Sequence, residues 1–144
     1  MNTIEKLGDE ETFRNIVERT ITEFEDNEIE VIGNNAFESC SKLTSVSLPA
    51  VTSIGDDAFY NCSALTSVSL PAATSIGGSA FESCSALTTL YIGIESDTVC
   101  TLSSTNAIPS SVTDIYVPDA LVESYKTATN WSSFANKIKT YTGV

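Results

Sequence analysis

The groups that could do chemistry in this chain are four cysteines, nineteen carboxylates and five tyrosines; there is no histidine. Without an imidazole, neither a Ser-His-Asp nor a Cys-His arrangement can be assembled, because the nucleophile lacks its usual proton acceptor. A zinc site built from Cys40, Cys62 and Cys84 alone would need an unusual ladder of inward thiolates. The acidic clusters Asp9-Glu10-Glu11 and Glu23 to Glu30 lack the spaced ligands and central glycine of a calcium loop. Asp56 and Asp57 are adjacent, so they point to different sides of a turn and cannot share acid–base work. The pair Gly77-Gly78 stands alone and makes no phosphate-cradling loop. These residue types predict no catalytic residues, no metal and no cofactor. What remains is a surface, on which tyrosine gives large contact area at low entropic cost.

Composition narrows the partners. With a net charge of -12, the surface repels phosphate backbones, so nucleic acid is not an expected ligand. Ten of the nineteen acids fall within residues 1–30, and their plain reading is a solvated face that aids solubility. No apolar run approaches the roughly 18 residues of a membrane span, and residues 1–11 carry no apolar stretch that could act as a secretion signal. The compartment therefore stays open between the cytoplasm, export and association with a larger particle.

The elements that must position any binding group are set by a 22-residue period between Ile29 and Ile92. Phe37, Phe59 and Phe81 keep that step, as do Cys40, Cys62 and Cys84, and Leu43, Leu65 and Leu87. Ile32, Ile54 and Ile76 do too, each followed by a glycine. Such a period is that of a solenoid whose units stack only on their neighbours. Within a unit, Val46 and Leu48 alternate with Ser45 and Ser47, which is strand periodicity with one buried face. Pro49 and Pro71 end the strand, since proline cannot donate to a ladder. Val51 and Ile54 form a second inward pair, closed by Gly55, which can take a positive φ. Asp56 to Cys62 then suggests one or two helical turns packing inward. Cysteines on such a period read as buried, reduced thiols serving as small hydrophobes, with Cys100 off the period.

Outside the repeats, residues 9–19 read as a helix with acids in its first turn, followed by a degenerate first coil carrying Ile21 and Phe24. Residues 93–111 read as an irregular crossover. The strand phrase then returns at Val112, Ile115, Val117 and Pro118, 25 residues after Leu87, and predicts a fifth parallel strand. Asp119 is a plausible N-cap for a helix bearing Leu121, Val122 and Tyr125; a second helix from Ser132 would carry Phe134 and Ile138, with Trp131 between the two. The expected organisation is one domain over 1–144: an N-terminal helix and degenerate coil (1–28), the repeats (29–92), a crossover and last strand (93–118), and a C-terminal helical cap (119–144). The acidic start and the lysines at 126, 137 and 139 suggest head-to-tail association, but capped solenoids resist it, so a monomer is expected.

The phrase Ile54-Gly55-x-x-Ala58-Phe59-x-x-Cys62-x-x-Leu65-x-x-Val68-x-Leu70-Pro71 resembles the BspA-like leucine-rich repeat proteins of bacteria, over about Ile21 to Ile92 and again from Val112. The tail from Ile115 to Lys126, with Trp131, is similar to the end of many such proteins from gut bacteria. The resemblance implies a right-handed α/β solenoid with parallel strands on one face, short helical turns on the convex side and helical caps at both ends. It also implies adhesion-type roles at the cell surface or after secretion. Chains similar at residues 17–22 are sometimes encoded in prophages beside tail genes, so a structural part of a phage tail or other assembly is the alternative. One departure stands out. The slot where leucine-rich repeats carry an amide-binding asparagine or cysteine holds Ile29, Val51 and Ala73.

On the strand face, the outward ladders are Ser45, Ser67, Thr89 and Asp114, beside Ser47, Ser69, Tyr91 and Tyr116. Solenoids commonly bind along this concave face. These eight residues are the candidate ligand-binding set for a protein or glycan partner. The serines also have the plain reading of solvating a strand, and stacked tyrosines that of stabilising a sheet. An ice- or surface-binding hydroxyl array is disfavoured, because serine lacks the methyl of threonine.

Overall fold

The computed structural model describes residues 19–143. Among them run ten short strands: β1 (Glu23–Glu25), β2 (Val31–Ile32), β3 (Ser45–Ser47), β4 (Ser53–Ile54), β5 (Ser67–Leu70), β6 (Ser75–Ile76), β7 (Thr89–Ile92), β8 (Thr101–Leu102), β9 (Asp114–Val117) and β10 (Ile138–Thr140). They form two parallel sheets, one in the order β1-β3-β5-β7-β9-β10 and one in the order β2-β4-β6-β8. Through the repeats the register is one period per coil: Val46 lies beside Val68 and Ile54 beside Ile76. A slip of one residue would turn Val46, Val68 and Leu90 outward, so burial locks the pairing.

Between the sheets the apolar residues stack in columns. The rings of Phe37 and Phe59 lie 5.0 Å apart and nearly parallel, those of Phe59 and Phe81 5.3 Å apart, and Phe24 tilts onto Phe37 at 5.0 Å. Leu43, Leu65 and Leu87 make another fully buried column, and one continuous core runs from Ile21 to Ile138. The first coil is thus present, with Phe24 in place. The acidic helix expected over residues 9–19 lies, but for its last residue, outside the described residues.

Three expectations about the coil need correction. The first concerns the second inward pair: Ile32, Ile54 and Ile76 belong to a second parallel sheet, which two-residue strands cannot announce in a sequence. Next, no helical turn forms after the glycines. The N–H groups of Asn35, Phe37 and Ser39 donate to the carbonyls of Asp56, Ala58 and Tyr60 in the next coil, while those of Ala36, Glu38 and Cys40 reach back three residues. A helix would commit every N–H to its own segment; here alternate groups tie coil to coil. The backbone manages this by placing Asn35, Ser39, Asp57, Asn61, Ser79 and Ser83 at φ between 56° and 65°, a region that short polar side chains tolerate. The third correction is to the glycines themselves. Only Gly93 and Gly143 have positive φ among the described glycines. Gly55 and Gly77 serve close approach: a Cβ on either would sit 2.6 Å from the backbone nitrogen of Asn34 or Asp56 in the preceding coil.

With Val51 and Ala73 buried in the asparagine slot, other side chains bond the turns. Asn34 Oδ1 accepts the Asp56 N–H and Asp56 Oδ1 the Gly78 N–H, each at 2.8 Å. The Cys62 and Cys84 thiols donate to the carbonyls of Phe37 and Phe59 at 3.1 and 3.0 Å. They are therefore hydrogen-bonding groups as well as small hydrophobes. Threonine hydroxyls do the same along the coil edges, from Thr44, Thr66 and Thr88 to the carbonyl one coil back.

The C-terminal end mixes helical turns and strand. The region read as an irregular crossover contains β8 and a 3-10 turn at Thr105–Ala107. The fifth strand of the larger sheet is β9, as the returning phrase predicts. Beyond it come a 3-10 turn (Asp119–Leu121), the helix α1 (Val122–Thr127) and a 3-10 stretch (Trp131–Lys137) broken at Phe134, where φ is -115°. The N-cap position falls on Pro118 and not on Asp119, whose carboxylate accepts from the Thr140 hydroxyl. Ile138 lies in β10, a sixth strand paired with β9, and not on a helix. This segment does cover the open edge of the smaller sheet. Trp131 Nε1 donates to the Cys100 carbonyl and Asn130 Nδ2 to that of Leu102, both at 2.6 Å, while the Tyr125 hydroxyl accepts the Cys100 N–H at 2.9 Å. Buried polar groups at an edge must be satisfied, and these three side chains do so.

Two expectations follow. Phe59→Ala should cost about 3–5 kcal/mol, because the cavity opens in the middle of a one-dimensional stack. A melting shift of under about a degree would refute that burial. The second concerns alkali. Burial pushes the Cys40 thiol up to about 11 and Cys100 up to about 12. Burial likewise raises Tyr125 to about 12. These folded values exceed those of the unfolded chain. The stability these groups carry is thus complete below about pH 9 and drains away as pH rises toward about 12, as the unfolded state sheds protons. Unfolding titrations at pH 8, 9.5 and 11 should show that decline, with a shallower slope in Cys100→Ala.

Candidate ligand-binding face

On the outward side of the larger sheet the parallel register aligns two columns. One runs Glu23, Ser45, Ser67, Thr89, Asp114; the other runs Glu25, Ser47, Ser69, Tyr91, Tyr116, Lys139. Each strand puts Val, Leu, Ile or, in β1, Phe inward at alternate positions, so its polar residues and tyrosines have no other face to occupy. All eight sequence-predicted residues therefore share one surface. They do not form one uniform site.

At the C-terminal end the surface is aromatic. Tyr91 and Tyr116 stack with centroids 5.2 Å apart and rings 16° from parallel. Tyr141 meets Tyr91 edge-on, at 6.0 Å and 90°. It is carried there by β10, whose pairing continues through a 2.9 Å bond from the Tyr141 N–H to the Val117 carbonyl. In the corner lies a hollow of about 410 Å³ lined by Ser69, Pro71, Tyr91, Ile94, Glu95 and Tyr141. Asp114 is engaged: Lys139 Nζ pairs with one carboxylate oxygen and the Thr113 hydroxyl donates to the other at 3.0 Å. Those two hydrogen bonds hold the Asp114 carboxyl below its ordinary value, and Asp114 in turn raises Lys139.

At the opposite end the surface is acidic and small. Glu23, Phe24, Glu25, Ser45 and Ser47 line a second hollow of about 320 Å³. Ser67 and Ser69 lie between the two ends. The residues that sequence reasoning missed are Tyr141, Glu95, Ile94 and Lys139. A signal for Tyr141 was present in the alternation Ile138-Lys139-Thr140, which reads as a strand once the helical assignment is dropped. None existed for Glu95, which reaches the site only through the turn at the left-handed Gly93 (φ 57°). Among the described residues, no group of three or more cysteines and carboxylates is placed to hold a metal ion, and no helix is long and apolar enough to cross a membrane.

Coils of 22 residues, a parallel sheet on one side and a leucine column within define a leucine-rich repeat protein. More narrowly, the chain belongs to the BspA type leucine rich repeat family, whose repeat region it matches in six copies over residues 7–133. Its fold is similar to a leucine-rich repeat protein from Bacteroides ovatus ATCC 8483 (TM-score 0.63, 21% identity, 85% of this chain and 30% of that one). It is also similar to a leucine rich cell surface protein from Faecalibacterium prausnitzii A2-165 (TM-score 0.59, 26% identity, 86% of this chain and 33% of that one). The chain thus spans about a third of the length of each of these structures. No curated protein matches it significantly.

Proposed function

We propose that this chain is a non-enzymatic recognition module that captures a protein or glycan ligand on the outward face of the larger sheet. The observation that carries the reading is the tyrosine cluster. Tyr91, Tyr116 and Tyr141 gather half-buried aromatic surface at one end of a face otherwise built from small hydroxyls. Rigid rings beside a hollow are the features that concentrate binding energy at recognition surfaces. The serines at 45, 47, 67 and 69, with Thr89, extend that surface as hydrogen-bonding ground, and the paired Asp114 borders it. Adhesion-type display is in keeping with this reading, since one similar structure is that of a cell surface protein.

The test is capture from host-cell extract and on a glycan array, comparing the parent with Tyr91→Ser combined with Tyr116→Ser. The double variant should lose capture by more than about tenfold while still unfolding cooperatively. If its capture is unchanged, and removal of residues 1–19 instead blocks incorporation into a phage particle or other assembly, the face is not the binding site and the chain is an assembly part.

A further inference from the structure

We infer that the face takes a basic protein segment, an arginine or lysine side chain seating in the tyrosine-lined hollow. This rests on the recognition reading above and names the chemical class of its partner. The hollow has the parts such a side chain needs. Tyr91 and Tyr141 stand at 90° with centroids 6.0 Å apart, so a cation in their corner lies over one ring within the roughly 6 Å range of a cation–π contact. Pro71 and Ile94 supply apolar wall for the aliphatic stem, Glu95 an opposite charge, and the Ser69 hydroxyl an acceptor. Among the described residues, no cationic side chain lines the hollow. Lys139, farther along the column of Tyr91, is paired with Asp114 of the neighbouring column.

The rest of the face sets a direction. Along the column from Tyr91 on β7 to Glu25 on β1 are three strand steps, or about 14 Å at the usual inter-strand spacing. An extended peptide covers that distance in about four residues. Residues i and i+4 of such a peptide point to the same side, so a cation in the hollow and a second over Glu23 and Glu25 suit a segment lying across the strands. The serines between offer hydroxyls and no bulk to block it. An anionic ligand would meet carboxylates at both ends. A neutral oligosaccharide could stack on Tyr91, but it would leave the charge at each end unused.

The experiment titrates the full chain with a fluorescent peptide, Gly-Ser-Arg-Ser-Ser-Ser-Arg-Ser-Gly, by anisotropy. Controls are the same peptide with citrulline for arginine, one with the two arginines adjacent, and a labelled neutral oligosaccharide, chitotetraose. The arginine peptide should bind, weaken by about tenfold or more with citrulline, in Glu95→Gln and in Tyr141→Ser, and weaken further between about 50 and 300 mM salt. Adjacent arginines should bind more weakly than spaced ones. Equal binding of the citrulline peptide, no effect of Glu95→Gln and Tyr141→Ser, or no binding of the arginine peptide would each overturn the inference. Chitotetraose binding that is lost in Tyr91→Ser/Tyr116→Ser, with the arginine peptide inert, would sink the basic partner and leave the recognition face standing. If neither probe binds and that double variant also retains every ligand captured from extract, both readings fail. Circular dichroism melts on each variant separate lost binding from lost folding.

Discussion

Everything in this molecule depends on one coil lying directly over the next at a fixed rotation. Two sets of interactions enforce it. The apolar columns of Phe37, Phe59 and Phe81 and of Leu43, Leu65 and Leu87 have full burial only when equivalent residues coincide. The polar ladders bond across the same interval, through strand amides, thiols, threonine hydroxyls and the amides of the turns. The hydrophobic term is large and excludes a slip of one residue, which would turn the apolar side of a strand outward; the hydrogen bonds are weaker net but directional, and buried ones are costly to leave unmade. Burial therefore drives stacking and selects its register, and the ladders fix the coils in it.

That division explains details that look unrelated. Gly55 and Gly77 are glycine because backbones approach to a distance no Cβ allows. The turn side takes non-glycine residues at positive φ because its N–H groups must alternate between local and inter-coil partners. A solenoid also has ends, and the C-terminal one is closed by donors and an acceptor aimed at a bare strand edge: Trp131, Asn130 and Tyr125 against Cys100 and Leu102. The same segment then swings β10 onto the larger sheet, so the element that seals one sheet also delivers Tyr141 to the face of the other.

The face is thus a by-product of the stack. Register places Ser45, Ser67 and Thr89, and Ser47, Ser69 and Tyr91, in columns whether or not they bind anything. What distinguishes the C-terminal end is the departure from the repeat: tyrosines where earlier coils carry serines, a positive-φ glycine that turns Glu95 to the rim, and an ion pair that neutralises Asp114. Side chains from different parts of the chain converge here because the regular scaffold is interrupted, as loops carried on a rigid scaffold allow.

How much was legible follows from the range of the interactions. The period, the buried positions, the five strands of the repeat phrase and the outward placement of all eight candidate residues were readable, since alternation and spacing record which side of a coil meets the core. The paired strands of the second sheet were not. Two residues are too few to show the alternation of a strand, and they exist as strands only because the neighbouring coil supplies partners. Nor were β10, which takes Ile138 out of the helix expected from Ser132, or the convergence of Tyr141 and Glu95 on Tyr91. Local propensity at Ile138 is compatible with either state, and pairing with Ile115, 23 residues earlier, decides it. The sequence alone determined that coils stack and which residues face outward. The tertiary structure decided which of those residues meet, because hydrogen bonds between distant segments leave no trace in local pattern.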